Sequence, residues 1–153
     1  VDAFDLKILE TLVANGRESH ENIGRVLNLS RPAVHQRVKK LEDAGIIKKY
    51  QAMVDWSQLG QTINVIIYVK INATVFKNII SDILKITVTD TFLEECHRLA
   101  GEWCIILRIR STSTQNLTNY IDELLKINGV VATSTTFILS TILQNGSAII
   151  DSV

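Results

Sequence analysis

Apolar residues change their spacing about a third of the way along this chain, and the change separates a helical first part from a longer, strand-rich second part. Phe4, Ile8 and Leu12 interleave with Leu6, Leu9 and Val13, which predicts a helix over 3–14 with a broad apolar face, stopped by Asn15-Gly16. Asp2 or Asp5 supplies its start signal. Ile23, Val26 and Leu27 recur at helical spacing behind Ser19, a good N-cap, and Asn28-Leu29 breaks that run. Ser30 caps a third helix, and Pro32 falls in its first turn, where a missing N–H is harmless. Val34, Val38 and Leu41 bury one stripe of it, and Gly45 ends it where a left-handed residue is wanted.

Asp55-Trp56-Ser57-Gln58-Leu59-Gly60 has the composition of a turn and marks a domain junction. Beyond it, Ile63, Val65, Ile67, Val69 and Ile71 alternate as a strand, and Val75, Phe76, Ile79, Ile80, Ile83 and Leu84 return to helical spacing. Phe92 to Leu99 and Trp103 to Arg110 read as strands meeting at Ala100-Gly101. Leu117, Tyr120, Ile121, Leu124 and Leu125 mark a helix closed by Asn128-Gly129, and Val130 to Ile142 is a last, β-branched strand. The order βαββαβ predicts a ferredoxin-like sandwich with both helices on one face of an antiparallel sheet. Ile66, Tyr68, Ile106 and Ile138 take the opposite strand phase. That second face is too apolar to stay wet, so a second subunit is expected to cover it. The fold class is α+β, with a first domain at 1–50, a linker at 51–60, and a second domain at 61–153.

The segment from Ser19 to Gly45 has the layout of a helix-turn-helix, whose second helix enters the major groove of DNA. With the Val34–Val38–Leu41 stripe inward, Pro32, Gln36, Lys39, Lys40 and Asp43 face out, Ala33 and His35 flank them, and Arg31 and Arg37 border the stripe. A plain surface helix is polar there too. Two features favour DNA. Between Asn28 and Tyr50 the basic Arg31, Arg37, Lys39, Lys40, Lys48 and Lys49 face only Glu42 and Asp43, and Gln36 offers an amide that can pair with adenine. Ile46, Ile47 and Tyr50 with Lys48 and Lys49 between them suggest the wing of a winged helix, although a plain linker strand reads the same way. The candidate contacts are Ser30, Arg31, Pro32, Ala33, His35, Gln36, Arg37, Lys39, Lys40 and Lys48, and the expected partner is double-stranded DNA.

Charge sharpens this picture. The chain of 153 residues has a formal net charge of zero, but residues 1–50 carry an excess of cations and the remainder an excess of anions. Such a distribution suits one local basic face better than indiscriminate coating of nucleic acid. Cys96 and Cys104 are too few for a disulfide scaffold or a zinc site, so no metal and no cofactor is expected. No secretory signal opens the chain and no apolar run is long enough to span a bilayer, which points to the cytoplasm and to no membrane partner.

The whole chain up to Gln144 resembles the Lrp/AsnC (feast/famine) transcription regulators. The resemblance rests on the opening DAFDLKILETLVANGR, the LSRPAVHQRVKKLEDAGIIKKY block and the later ECHRLAGEW segment; the middle block, joining cap, helix and wing in one register, is the most specific. It implies a sequence-specific DNA-binding regulator built as dimers, often as octamers of four dimers, and commonly modulated by an amino acid or another small effector. It also implies an effector site at Ala100, Gly101, Glu102, Trp103, Cys104 and Thr136. Many members carry an acid where Cys104 stands, and a neutral thiol cannot give an ammonium a charge-assisted hydrogen bond. Either the ligand is unusual or the chain responds to none. Two other readings remain. One is an architectural protein that wraps DNA with low specificity. The other, more distant, is a tetrapyrrole-carboxylate decarboxylase, because certain haem-pathway enzymes resemble the same two-domain plan. For that chemistry His97, Arg98, Arg108 and Arg110 are the available groups, with no nucleophile–base motif or carboxylate pair beside them. No catalytic residue is assigned, and the chain is not expected to be an enzyme.

Overall fold

The computed structural model describes residues 1–72 and 76–149. Two compact units emerge: one takes Val1–Met53 with the described tail from Thr141, the other Val54–Ser140. The first contains α1 (Ala3–Ala14), α2 (His20–Leu27) and α3 (Arg31–Asp43). The second contains a short 3-10 helix (Trp56–Leu59), β1 (Ile63–Ile71), α4 (Phe76–Lys85), β2 (Thr91–Arg98), β3 (Ile105–Ser111), α5 (Thr114–Lys126) and β4 (Val130–Phe137). Among the described residues no helix is long and apolar enough to cross a membrane.

Ile8, Ile23, Val34 and Val38 form the core of the first unit, with Leu12, Leu27, Leu29 and Ile47 against it. The broad α1 face is only half used: Ile8 is buried, whereas Phe4, Leu6 and Val13 stay exposed. Val26, read from its spacing as an inward residue, is 73% exposed. Two helices of this length cover one side of α1 and no more.

Sheet order β2-β3-β1-β4 is antiparallel throughout, as the ferredoxin-like plan requires. Val65, Ile67, Val69 and Ile71 of β1 and Ile105, Leu107 and Ile109 of β3 alternate onto the face that meets Ile79 and Ile83 of α4 and Leu117, Tyr120 and Leu124 of α5. Each such side chain contributes about 1.5–3 kcal/mol of burial. Leu84 and Leu125, flanking those helical stripes, are exposed, and Val75 lies outside the described residues.

Three expectations are corrected. The last strand stops at Phe137 rather than Ile142, because Val65↔Phe137 is the final pairing and Ile138 N–H reaches Asn64 just beyond it; at the end of the run the Ile142 carbonyl accepts from Ile149 N–H and not from the sheet. Instead, the tail makes a separate hairpin, β5 (Leu143–Gln144) with β6 (Ser147–Ala148), turning at Asn145-Gly146 with positive φ at both residues. The tail therefore groups with the first unit, not with the sheet domain in which its sequence position had put it. Residues 46–55 form no strand, so the expected wing is not built as β-structure. The N–H groups of Ile46 and Ile47 are both spent on the Leu41 carbonyl at the end of α3, at 2.9 and 3.2 Å.

Candidate nucleic-acid interface

Local chemistry fixes the two helices of the motif closely. Ser19 Oγ accepts from the Asn22 N–H at 3.1 Å to start α2. Asn28 ends α2 in the left-handed region at φ 55°, where an asparagine is tolerated. Ser30 Oγ then accepts from the Ala33 N–H at 3.3 Å, worth about 1 kcal/mol as a cap. At the far end Gly45 N–H reaches Glu42 O at 2.8 Å while Ile46 N–H reaches Leu41 O, a Schellman closure that needs the positive φ of Gly45. These contacts define both ends of α3 without using its outward side.

That side is as the spacing predicted. Val34, Val38 and Leu41 are buried, Ala33 is half-buried, and Ser30, Arg31, Pro32, His35, Gln36, Lys39 and Lys40 are exposed. The His35 ring lies 5.4 Å from that of His20 at the start of α2. Lys48 is exposed on the strandless segment after the motif. Arg37 differs from the other candidates: it is half-buried and ion-paired to Asp2 and Asp5 of α1. Gly24 was missed in the sequence, although it is buried where α2 meets the turn.

The second candidate site is the β2–β3 loop. Leu99 N–H to Cys104 O at 2.8 Å closes it, and Cys104 N–H donates to Val69 O at 3.0 Å. Ala100, Gly101 and Glu102 are exposed at the tip, and Glu102 pairs with Lys70 Nζ at 3.2 Å. Trp103 is half-buried, tilted against Tyr68 with ring centroids 6.2 Å apart. Cys104 is half-buried, its thiol 3.9 Å from the carbonyls of Ile71 and Glu102. Thr136 is not brought to this loop within one chain: it pairs with Ile66, three residues along β1 from Val69, or about 10 Å.

The second sheet face is less apolar than its spacing suggested. Ile66, Tyr68 and Ile106 are half-buried there, beside a network of paired charges. Arg110 Nε donates to Glu94 at 2.7 Å, with its guanidinium 4.1 Å from the Trp56 ring centroid and 4.6 Å from that of Phe92. Arg108 stands 3.7 Å from both Glu94 and Glu95, and His97 stands 3.2 Å from Glu95. A bulge between Leu93 and Glu95 places these two carboxylates side by side, a shift in register that strict alternation hides. Arg98 stacks on Phe76 at 4.3 Å. The basic groups on which decarboxylation would depend are thus already engaged, either by carboxylates or by aromatic rings. Among the described residues no cluster of three or more His, Cys, Asp or Glu side chains could hold a metal ion.

Comparison with known proteins matches residues 1–48 to a winged helix-turn-helix DNA-binding model and residues 76–148 to the Lrp/AsnC ligand binding domain. The chain is 32% identical to the HTH-type transcriptional regulator LrpB of Bacillus subtilis, over 82% of each chain. The chain belongs to the Lrp/AsnC family. It is 28% identical to the transcriptional regulator FL11 of Pyrococcus horikoshii, covering 92% of this chain and 91% of that one. Among solved structures, Bacillus subtilis LrpC superposes with a TM-score of 0.79 at 32% identity, covering 93% of this chain and 96% of that one. A Neisseria meningitidis regulator in complex with L-methionine superposes with a TM-score of 0.81 at 28% identity, covering 94% and 93%. Like these Lrp/AsnC relatives, the chain is a DNA-binding transcriptional regulator of the helix-turn-helix type.

Proposed function

We propose that this regulator reads DNA sequence through the outward face of α3, with Gln36 on a base edge and Arg31, Lys39, Lys40 and Lys48 on phosphates. The carrying observation is that α3 is capped at both ends and buried along one stripe, while its amide and lysine side chains stand exposed and free of internal hydrogen bonds or ion pairs among the described residues. Ser30 and Pro32 lie at the helix N-terminus, whose N–H groups suit a phosphate. Residues 1–50 carry this activity, 51–60 link, and the domain from 61 onward, without the tail that groups with the first unit, senses an effector and assembles copies of the chain. It acts by binding and not by catalysis, and it works in the cytoplasm.

An effector would be a small molecule met by the loop from Ala100 to Cys104, as the L-methionine complex of the Neisseria relative suggests. Cys104 offers no charge to an ammonium and Glu102 is held by Lys70, so a ligand whose amino group is satisfied elsewhere fits better than a simple amino acid held at Cys104. Thr136 would join that pocket only if a second copy supplied it. Selection of bound duplexes at fixed salt, repeated with a panel of amino acids, tests both parts. Gln36→Ala is expected to relax the selected motif at one or two base pairs, costing about 1–3 kcal/mol. Lys40→Ala should weaken all sequences alike and lower the salt slope by about one. An unchanged motif for Gln36→Ala removes Gln36 from the reading set, and equal binding to every sequence by the wild type would favour an architectural role.

A further inference from the structure

Arg37 lies on the flank of α3, between the buried stripe and the outward face, with its side chain 31% exposed. Its Nη1 donates to Asp2 Oδ2 at 2.7 Å and to Asp5 Oδ1 at 2.7 Å, and its guanidinium is 5.5 Å from the Phe4 ring centroid. Both carboxylates already serve the capping box of α1, in which Asp2 accepts from Asp5 N–H and Asp5 from Asp2 N–H, each at 2.9 Å. One guanidinium therefore ties the first turn of α1 to the middle of α3. The Asp5 side chain is only 11% exposed, so the tie is anchored inside the unit.

We propose that Arg37 is a positioning residue, which sets the rotation of α3 about its own axis and so aims Gln36 and Lys40, and is not itself a phosphate contact. This rests on α3 being the DNA-reading helix. The apolar contacts of Val34 and Val38 with Ile8 and Ile23 hold α3 against its neighbours, but such contacts have no direction of their own. Charge-assisted hydrogen bonds do, and those of Arg37 come from the neighbour of Gln36 in the chain. The electrostatics also disfavour a phosphate here. One cation faces two carboxylates, so a further anion would meet a cluster that is already net negative. Drawing Arg37 away would leave the nearly buried Asp5 carboxylate uncompensated.

The test compares Arg37→Ala, Arg37→Lys, Asp2→Asn, Asp5→Asn and the Arg37→Ala/Asp5→Asn double variant in the full chain. It measures affinity for a selected duplex and for a scrambled one across a salt series. Arg37→Ala and Asp5→Asn are each expected to lower the ratio of specific to nonspecific affinity about tenfold, with the salt slope unchanged. The double variant should be no worse than the worse single one, since both remove the same tie. Arg37→Lys should keep the slope and lose the ratio, because an ammonium lacks the rigid fork of the guanidinium. A phosphate contact gives the opposite pattern: Arg37→Ala lowers both affinities and drops the slope by about one, and Asp5→Asn tightens binding by removing an anion. That pattern, or wild-type specificity in Arg37→Lys, overturns the proposal. Should Asp5→Asn fail to melt cooperatively, Asp2→Asn carries the same comparison, since its carboxylate side chain is 53% exposed. Gln36→Ala and Lys40→Ala are measured alongside. If both leave DNA binding untouched, the reading of α3 fails and this inference fails with it; if they act while Arg37 follows the phosphate pattern, the inference alone fails.

Discussion

A β-carbon added at Gly24 would lie 2.4 Å from the Leu29 carbonyl oxygen, inside any tolerable contact. The obstruction is backbone and not a flexible side-chain end, so α2 and the turn after it would have to part. Gly24→Ala is expected to cost about 1–3 kcal/mol by overpacking, even though alanine is the better helix former by about 1 kcal/mol. A thermal melt of the variant checks this, and unchanged stability would mean that the turn relaxes freely. Nothing in the sequence around Gly24 marked it, because a close approach between α2 and the turn has no periodic signature. Ser30, Val34, Val38 and Gly45 were legible for the contrary reason: caps, stripes and helix ends are written in residues adjacent along the chain. Arg37 lay between these cases. Its type and position on the wheel were readable, but its partners stand 35 and 32 residues away, and only the assembled unit joins them.

At the scale of elements, α1 begins in a pair of carboxylates whose state should govern the acid stability of the first unit. The Asp2 carboxyl is held below its ordinary value by the Asp5 N–H and then by Arg37, and the Asp5 carboxyl by the Asp2 N–H and then by Arg37. Groups lowered in the folded state stabilise it above their ordinary value of 3.8, and that contribution disappears as pH falls through the lower folded values. Melting temperature should therefore fall as pH drops below about 4, and the Asp2→Asn/Asp5→Asn pair should flatten that fall. Glu18, lowered chiefly by the Asn22 side chain, adds to the same slope and remains in the variant. A wild-type melt indifferent to pH between 5 and 2 would contradict this. The elements themselves were largely readable, α1 to its residue bounds and β1 to its alternation. The wing and the end of β4 were not, because a β-branched run becomes a strand only where a neighbour is left to pair with it. The tail hairpin had a local signal, Asn145-Gly146, which the apparent continuation of β4 masked.

At the scale of the molecule, the second sheet face is where the assembly expected of this chain would form. Its charges are paired within the chain, Arg110 and Arg108 with Glu94 and Glu95, so a second copy could cover Ile66, Tyr68 and Ile106 without stranding an ion. Ile106→Lys would add one charge with no such partner and is expected to weaken dimerisation about a hundredfold or more, read as a shift to monomer by sedimentation at micromolar concentration. A wild-type chain that sediments as a stable monomer would remove the basis for this expectation. The topology behind that face also has a consequence in time. The first unit's helices lie close together along the chain, so they can fold as soon as they are synthesised. The sheet cannot close in this way. β1 sits between β3 and β4, and its outer pairing joins Val65 to Phe137, so the strand that emerges first waits for the one that emerges last. During translation the three helices of the first unit can form while the apolar run of β1 is still unpaired, which makes this interval the one in which the nascent chain most needs protection from aggregation.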